Sequence, residues 1–297
     1  MRPNELYRQI GYREEGISTY RMMPNTSYRH ISTNKFGLRG PNLQIPKPQG
    51  RVRIAILGTS TVLGASLEEA QTLPAKVVEH LRSQNPACSF DYISVSGSAY
   101  TLVDHVWLLR NVLPEAEIDH IVILKSKVHR RLTPASDKKN AASHEKETVR
   151  WQPSILKRSA LYFKIMHSSA TKQEPKLRSL RDALSREHAA LREIIKLLGV
   201  QHVWYFEFSN RRRGLVDETR SPWAKKARQE MSKHDNTSYS EVLKSVPPTR
   251  DHYYVGGSMS HYKPRGADLA GQLIAGQFAE TYGSENNLCN SSRSARP

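Results

Sequence analysis

An apolar run that ends abruptly in a turn of small polar residues constrains the fold of this chain more than any other feature. The run occupies residues 54–57, at the end of a strand predicted at residues 52–57, and is followed by Gly58-Thr59-Ser60-Thr61. A short, continuous apolar run is typical of a strand that is buried on both faces of a sheet. Ligands of open α/β sheets bind at the carboxyl ends of the strands, so this turn would bring Ser60 to a ligand-binding edge.

The rest of the chain alternates between strand patterns and helix patterns. Besides residues 52–57, strands are predicted at residues 90–95, 121–124 and 203–208. Helices are predicted at residues 73–82, 102–113, 177–198 and 264–282. With no early hairpin signal, this alternation predicts an α/β fold, a three-layer sandwich with a mainly parallel sheet and helices on both faces.

The distribution of residue types along the chain predicts its domain organisation. Residues 1–50 are rich in Arg, Tyr, Asn, Pro and Gly and read as an irregular N-terminal arm. Residues 51–283 form the predicted domain, interrupted by a basic insertion at about residues 125–175. Residues 284–297 are expected to be a disordered polar tail.

The totals limit the class of protein and its surroundings. A formal net charge of +17 over 297 residues favours polyanions, anionic surfaces or acidic substrates as partners. The two cysteines, Cys88 and Cys289, do not indicate a disulfide framework, which favours a reducing compartment. The start of the chain lacks the apolar core of a signal peptide, and no apolar run is long enough to span a bilayer, so a cytoplasmic location is expected.

Two basic clusters are the other candidate binding features. The first contains Lys125, Lys127, Arg130, Arg131, Lys138 and Lys139, and the second contains Arg211–Arg213, Lys225, Lys226 and Arg228. Tyr253, Tyr254 and Trp223 could stack on sugars or bases near the second cluster. A plain solvated surface is the alternative interpretation of both clusters. The first follows a predicted strand directly, so it should border the same sheet edge as Ser60.

The sequence contains no spacing that demands a metal or a cofactor. Neither a His-x-x-x-His nor a Cys-x-x-Cys element occurs. We therefore expect no metal site and no cofactor.

Three segments together resemble the SGNH (GDSL-type) hydrolase family. Leu57-Gly58-Thr59-Ser60 is similar to the block that carries the nucleophile of that family. The segment from Ser260 to Gly266 is similar to its closing block, His-x-x-Pro-x-Gly, and the arm segment from Asn34 to Gly40 is similar to an Asn-x-x-Gly-Phe/Leu-Arg motif found before the first strand. The resemblance implies a flavodoxin-like sheet order, with Ser60 as nucleophile and His261 as general base.

The supporting positions of the family pattern are altered in this chain. Ser258 stands three residues before His261, where the family has Asp, so Ser258 or Asp251 would have to support the imidazole. In the second block Ser96 stands where Gly is expected and Gly97 comes one position late. After the third strand Val128 or a neighbour replaces the Asn donor. The resemblance thus implies an oxyanion hole reduced to the backbone N–H groups of Ser60 and Gly97.

These observations support two hypotheses about function. The first is a serine esterase or deacylase that cleaves an acyl ester, on an O-acetylated sugar or a lipid, through a Ser60–His261 dyad. The alternative is a non-catalytic protein of the same fold that binds an anionic polymer or a carbohydrate. A scaffold without a ligand, in which Ser60 only caps a turn, is a third interpretation. The sequence specifies neither the acyl length nor the oligomeric state.

Overall fold

A computed structural model of the chain describes residues 3–15, 17, 20–125, 180–197, 199–207, 222–247, 249, 251–254, 261–283 and 288. The basic insertion and most of the C-terminal tail lie outside these ranges. Every structural statement below concerns the described residues.

A five-stranded parallel sheet forms the centre of the described structure. Four very short strands precede it in the arm, and pair as two hairpins: β1 (Gly11–Tyr12) with β2 (Arg21–Met22), and β3 (Ser27–Tyr28) with β4 (Ile31–Ser32). The main strands are β5 (Arg51–Gly58), β6 (Ser89–Ser96), β7 (His120–Lys125), β8 (His202–Glu207) and β9 (Thr237–Ser240). Their order in the sheet is β6-β5-β7-β8-β9, and each neighbouring pair is parallel. This is the flavodoxin-like order 2-1-3-4-5.

Helices cover both faces of this sheet. They are α1 (Pro3–Ile10), α2 (Ser60–Leu63), α3 (Leu73–Gln84), α4 (Leu102–Asn111), α5 (Leu180–Ile195), α6 (Pro222–Met231) and α7 (Pro264–Tyr282). Ile54 and Ile56 of β5 belong to one core cluster, with α3 and α7. Ala55 and Leu57, the alternate residues, belong to a second cluster with α4, α5 and α6. Since successive strand residues point to opposite faces, this alternation produces three layers, and the predicted α/β fold class is confirmed.

The arm packs against the turn that follows β5. Leu6, Ile10 and Ile31 of the arm form a third buried cluster together with Leu63 and Ala65. The arm therefore has its own core, and part of that core is the segment that carries Ser60.

The Asn-x-x-Gly motif of the arm forms a closed turn. The Oδ1 atom of Asn34 accepts the backbone N–H groups of Phe36 and Leu38, at 3.0 and 3.2 Å. Gly37 has a φ of 67°, and a β-carbon there would lie 2.3 Å from the carbonyl oxygen of Met22. Only glycine fits this position, and the turn leaves Arg39 with its side chain fully buried.

The expectation about the cysteines is wrong for Cys88, which is disulfide-bonded. Cys289 is the only other cysteine of the chain. Leu288, its neighbour in sequence, is buried in the same core cluster as Cys88. A disulfide is typical of an oxidising compartment, so Cys88 does not support the reducing compartment that was expected from the cysteines.

In the part of the chain that the structure describes, no helix has both the length and the apolar character needed to cross a bilayer.

Candidate active site

Ser60 begins a single helical turn at the carboxyl end of β5. A β-carbon on Gly58 would lie 2.2 Å from Cγ2 of Val62, so glycine is required where the strand passes directly into α2. The short helix ends at Gly64, which has a left-handed conformation with a φ of 60°. The first N–H groups of a helix lack partners within it, so the backbone N–H of Ser60 is not bonded inside α2.

His261 reaches the same edge of the sheet from the far end of the chain. An isolated antiparallel bridge joins Tyr253 to Tyr262. It is closed by the bond from Tyr254 N–H to the carbonyl of His261, at 2.9 Å, and by that from Lys263 N–H to the carbonyl of His252, at 2.8 Å. The bridge fixes the backbone of His261, which lies three residues before α7 begins.

The two predicted catalytic side chains meet at this edge. Nε2 of His261 lies 2.8 Å from Oγ of Ser60, although the residues are 201 positions apart in sequence. Burial lowers the pKa of the His261 imidazole. An imidazole that remains neutral near pH 7 can accept the hydroxyl proton, provided that Nδ1 carries the ring proton.

A small pocket opens beside this pair. It has a volume of about 170 Å³. Its wall contains Ser60, Thr61, Gly64, Ala65, Ser66, Leu67, Tyr254, His261 and Tyr262. The hydroxyl of Tyr254 donates to the carbonyl oxygen of Ser66, at 3.1 Å, and so joins the two sides of the pocket.

Gly97 follows β6 at the same edge. Gly58 is paired in register with Ser96, so the ends of β5 and β6 lie side by side. Gly97 is buried, and a β-carbon there would lie 2.4 Å from the ring of Tyr100. The next backbone N–H, that of Ser98, donates to the hydroxyl of Tyr7 in the arm at 2.9 Å.

The residues proposed to support His261 are only partly described. Asp251 is exposed and precedes the Tyr253–Tyr262 bridge. Ser258 and Val128 lie outside the described residues. Support of His261 by either Asp251 or Ser258 therefore stays a prediction.

The predicted binding surfaces are described only in small part. The first basic cluster lies outside the described residues except for Lys125, whose backbone ends β7. Of the second, Lys225 and Lys226 are exposed, and Arg228 is paired with Glu241. Binding of an anionic polymer stays a prediction.

The stacking interpretation is wrong for one of its aromatic residues. Tyr253 is 4% exposed and packs against the ring of Tyr262, with 5.1 Å between the ring centroids. Its ring is therefore used within the fold. Tyr254 is half-buried and lines the pocket, and the side chain of Trp223 is not described.

Among the described residues, no group of three or more His, Cys, Asp or Glu side chains is arranged to hold a metal ion.

Sequence reasoning missed one feature of the site, the contact between the arm and the Ser60 turn. The guanidinium of Arg39 donates to the carbonyl oxygens of Leu63, Gly64 and Leu67, which follow Ser60. The signal was present in the Asn-x-x-Gly-Leu-Arg motif. A one-dimensional motif, however, does not show which carbonyls the arginine reaches.

Comparison with known proteins gives similarities of structure only. No protein-family model matches the chain, and no curated protein matches it. Three solved structures that resemble it are a two-domain esterase active on acetylated mannans, an acetylxylan esterase from Geobacillus stearothermophilus and a psychrotrophic esterase from Pseudoalteromonas sp..

These similarities are distant. The two-domain esterase has 14% identity and a TM-score of 0.48, over 79% of this chain and 50% of the esterase, so the chain spans half of its length. The acetylxylan esterase has 13% identity and a TM-score of 0.46, over 79% of this chain and 95% of its own. The Pseudoalteromonas esterase has 10% identity and a TM-score of 0.48, over 77% of this chain and 97% of the esterase. The assignment of a function therefore depends on the geometry of the site itself.

Proposed function

We propose that this chain is a serine ester hydrolase of the SGNH type, in which Ser60 is the nucleophile and His261 the general base. One observation carries the proposal, the 2.8 Å separation of Oγ of Ser60 and Nε2 of His261 at the carboxyl edge of the parallel sheet. A serine hydroxyl is a weak nucleophile unless an adjacent base takes its proton, and this separation suits that transfer.

The first half of the reaction forms an acyl-enzyme. Oγ of Ser60 attacks the ester carbonyl carbon while its proton passes to Nε2 of His261. As the tetrahedral intermediate collapses, the carbon–oxygen bond to the alcohol breaks, and the imidazolium gives its proton to the leaving oxygen. The acyl group is then held as an ester on Ser60.

The second half returns the enzyme to its starting state. His261 takes a proton from a water molecule, the resulting hydroxide attacks the acyl carbon, and Oγ of Ser60 leaves with the proton that His261 returns. In both halves negative charge develops on the carbonyl oxygen. We assign its stabilisation to the backbone N–H groups of Ser60 and Gly97, which follow adjacent strands at one edge.

The lining of the pocket favours a short acyl group. Ala65, Leu67 and Tyr262 give it an apolar wall, and a volume of about 170 Å³ has room for little more than a small acyl group and part of an alcohol. An O-acetylated sugar therefore fits the pocket better than a long-chain lipid ester.

Hydrolysis of p-nitrophenyl acetate and labelling by a serine-directed fluorophosphonate test this proposal. We expect hydrolysis above the buffer reaction and a single label on the peptide that contains Ser60. Ser60→Ala should abolish both signals. Ser89→Ala is the matched control, since Ser89 is exposed at the opposite end of β6, and should leave both unchanged.

Two results would contradict the proposal. One is a folded wild-type protein that shows no label above the Ser60→Ala variant. The other is a label found on a different serine, with hydrolysis that survives Ser60→Ala.

A further inference from the structure

We propose that Arg39 of the N-terminal arm is a positioning residue, whose guanidinium fixes the single helical turn that presents Ser60 to His261. This inference rests on the proposed function, because it assigns Arg39 a part in that same site. It identifies the arm as a structural requirement of the site.

The guanidinium of Arg39 is surrounded by backbone acceptors of one segment. Its side chain is 1% exposed. One terminal nitrogen donates to the carbonyl oxygens of Leu63 and Gly64, at 2.9 and 2.6 Å, and the other donates to that of Leu67. Nε donates to the carboxylate of Glu69 at 3.0 Å. A single side chain thus satisfies three carbonyl groups of the segment that leads from Ser60 into the pocket wall.

The turn depends on tertiary contacts, and the bonds from Arg39 act together with the burial of Val62 and Leu63. Helix α2 contains four residues, and one helical turn is unstable without tertiary contacts because nucleation is costly. The last carbonyl groups of any helix lack partners within it. In this chain the bonds from Arg39 take the place of those partners.

The bonds connect Arg39 to Ser60 in two steps. The N–H of Gly64 donates to the carbonyl oxygen of Ser60 at 3.1 Å, and the carbonyl of Gly64 accepts from Arg39. Leu63 is fully buried among arm residues, so the same segment is held on its apolar side as well. A displacement of Gly64 therefore moves Ser60 relative to His261, whose backbone is held by the Tyr253–Tyr262 bridge.

Lysine cannot replace arginine at this position. A guanidinium presents five donors in a fixed plane, whereas an ammonium is a compact, strongly hydrated charge with a different geometry. Burial lowers the pKa of Arg39, and Glu69 acts in the opposite direction and supports the charged form. Glu69 is itself held by the hydroxyl of Tyr92.

The chain offers a matched control in Arg21. It is also a buried arginine of the arm, 5% exposed and paired with a carboxylate, that of Glu14. Its other bond goes to the carbonyl of Phe36, at 2.8 Å, within the arm. Arg21 therefore shares the burial and charge of Arg39, but its bonds to Glu14 and Phe36 stay within the arm.

The first experiment compares Arg39→Lys with Arg21→Lys in the full chain. We expect Arg39→Lys to lower the rate of fluorophosphonate labelling, and kcat for p-nitrophenyl acetate, by about 10²-fold, with KM changed much less, because a displacement of about 1 Å suffices for such a loss. Arg21→Lys should stay within about threefold of the wild type. Equal losses in the two variants, or no loss in Arg39→Lys, would overturn the inference.

A second measurement does not depend on activity. Amide hydrogen exchange should become faster over residues 58–67 in Arg39→Lys, and over those residues it should stay unchanged in Arg21→Lys. If the wild type is unlabelled but this difference is seen, the proposed function fails and the positioning role of Arg39 stands. If the wild type is labelled and the difference is absent, the positioning role fails and the proposed function stands.

Glu69→Gln provides the test if Arg39→Lys does not fold. It keeps the arginine and its backbone bonds but removes the charge that orients Nε. We expect faster exchange over residues 58–67 and slower labelling than in the wild type. Wild-type values of both would overturn the inference.

Discussion

The carbonyl oxygen of His252 lies 2.1 Å from the point that a β-carbon on Gly266 would occupy. That carbonyl also accepts the N–H of Lys263, at 2.8 Å, in the bridge that holds His261. We predict that Gly266→Ala displaces this bridge and slows fluorophosphonate labelling at least about tenfold, because Ser60 and His261 no longer meet in a productive geometry.

Gly276 of the same helix is the control for this substitution. A β-carbon there meets nothing within 4 Å. Gly276→Ala should retain wild-type labelling and raise the free energy of unfolding by about 0.5–1 kcal/mol, the usual gain from alanine in a helix interior. Wild-type labelling of Gly266→Ala would show that the close approach to His252 does not position His261.

The sequence predicted the central part of the fold because its patterns are local and strong. The apolar run at residues 54–57 indicated a buried strand, and Pro264 and Gly283 mark the two ends of α7, as predicted. The arm was expected to be irregular, but it contains α1 and two short hairpins. Two other missed elements have weaker patterns. Helix α6 carries mostly polar and basic residues, and β9 is a four-residue edge strand, Thr237–Ser240, without an apolar run.

The proximity of Ser60 and His261 could be predicted, but the contacts that hold the two residues could not. Ser60 and His261 stand out because each follows or precedes a motif with a recognisable spacing. The close approach of Gly266 to His252, and the bonds from Arg39 to Leu63 and Gly64, depend on how distant segments pack in three dimensions. No periodicity in the chain reports such packing.

The pKa of His261 predicts how activity depends on pH. Burial lowers this pKa below its ordinary value of 6.5. The base acts in its neutral form, so kcat/KM should fall as the pH is lowered, with a midpoint below 6.5. The measurement is kcat/KM for p-nitrophenyl acetate between about pH 4.5 and pH 8. A midpoint above 6.5 would contradict the lowered pKa.

Asp251 provides a test of the support for His261. Its carboxylate is exposed, and the interaction of an exposed charge is weakened by solvent. We therefore expect Asp251→Asn to change kcat by less than about threefold. A loss of two orders of magnitude would instead identify Asp251 as the group that orients the imidazole. The same assay on Asp268→Asn, an exposed carboxylate in α7, controls for the change in charge.

His120 makes stability depend on pH independently of the site. It is fully buried among the rings of Trp204, Phe278 and Tyr282, and burial, the charge of His202 and Lys47 lower its pKa to about 3. Between pH 6.5 and about 3 the unfolded chain binds a proton at this histidine and the folded chain does not. Stability contributed by the neutral ring is thus complete above pH 6.5 and is lost as the pH falls.

Urea unfolding measures this effect. From about pH 7.5 to about pH 5 we expect the free energy of unfolding to fall by on the order of 1–2 kcal/mol through His120. His120→Phe removes the titrating group and keeps an aromatic ring, so this variant should show a shallower dependence. An equal slope in the two proteins would contradict the assignment.

The disulfide at Cys88 should stabilise the fold without affecting the chemistry. Cys88 immediately precedes β6, and the catalytic edge lies at the other end of that strand, roughly 25 Å away at about 3.3 Å per residue. We expect Cys88→Ser to lower the free energy of unfolding by about 2–4 kcal/mol. Below the melting temperature this variant should be labelled at Ser60 at the wild-type rate.

Reduction of the wild type tests the same bond. Since a fold held by this bond loses the same stability on reduction, dithiothreitol should lower the Tm of the wild type to that of Cys88→Ser and leave the variant unchanged. A wild-type Tm that does not respond to reduction would show that the bond contributes no stability.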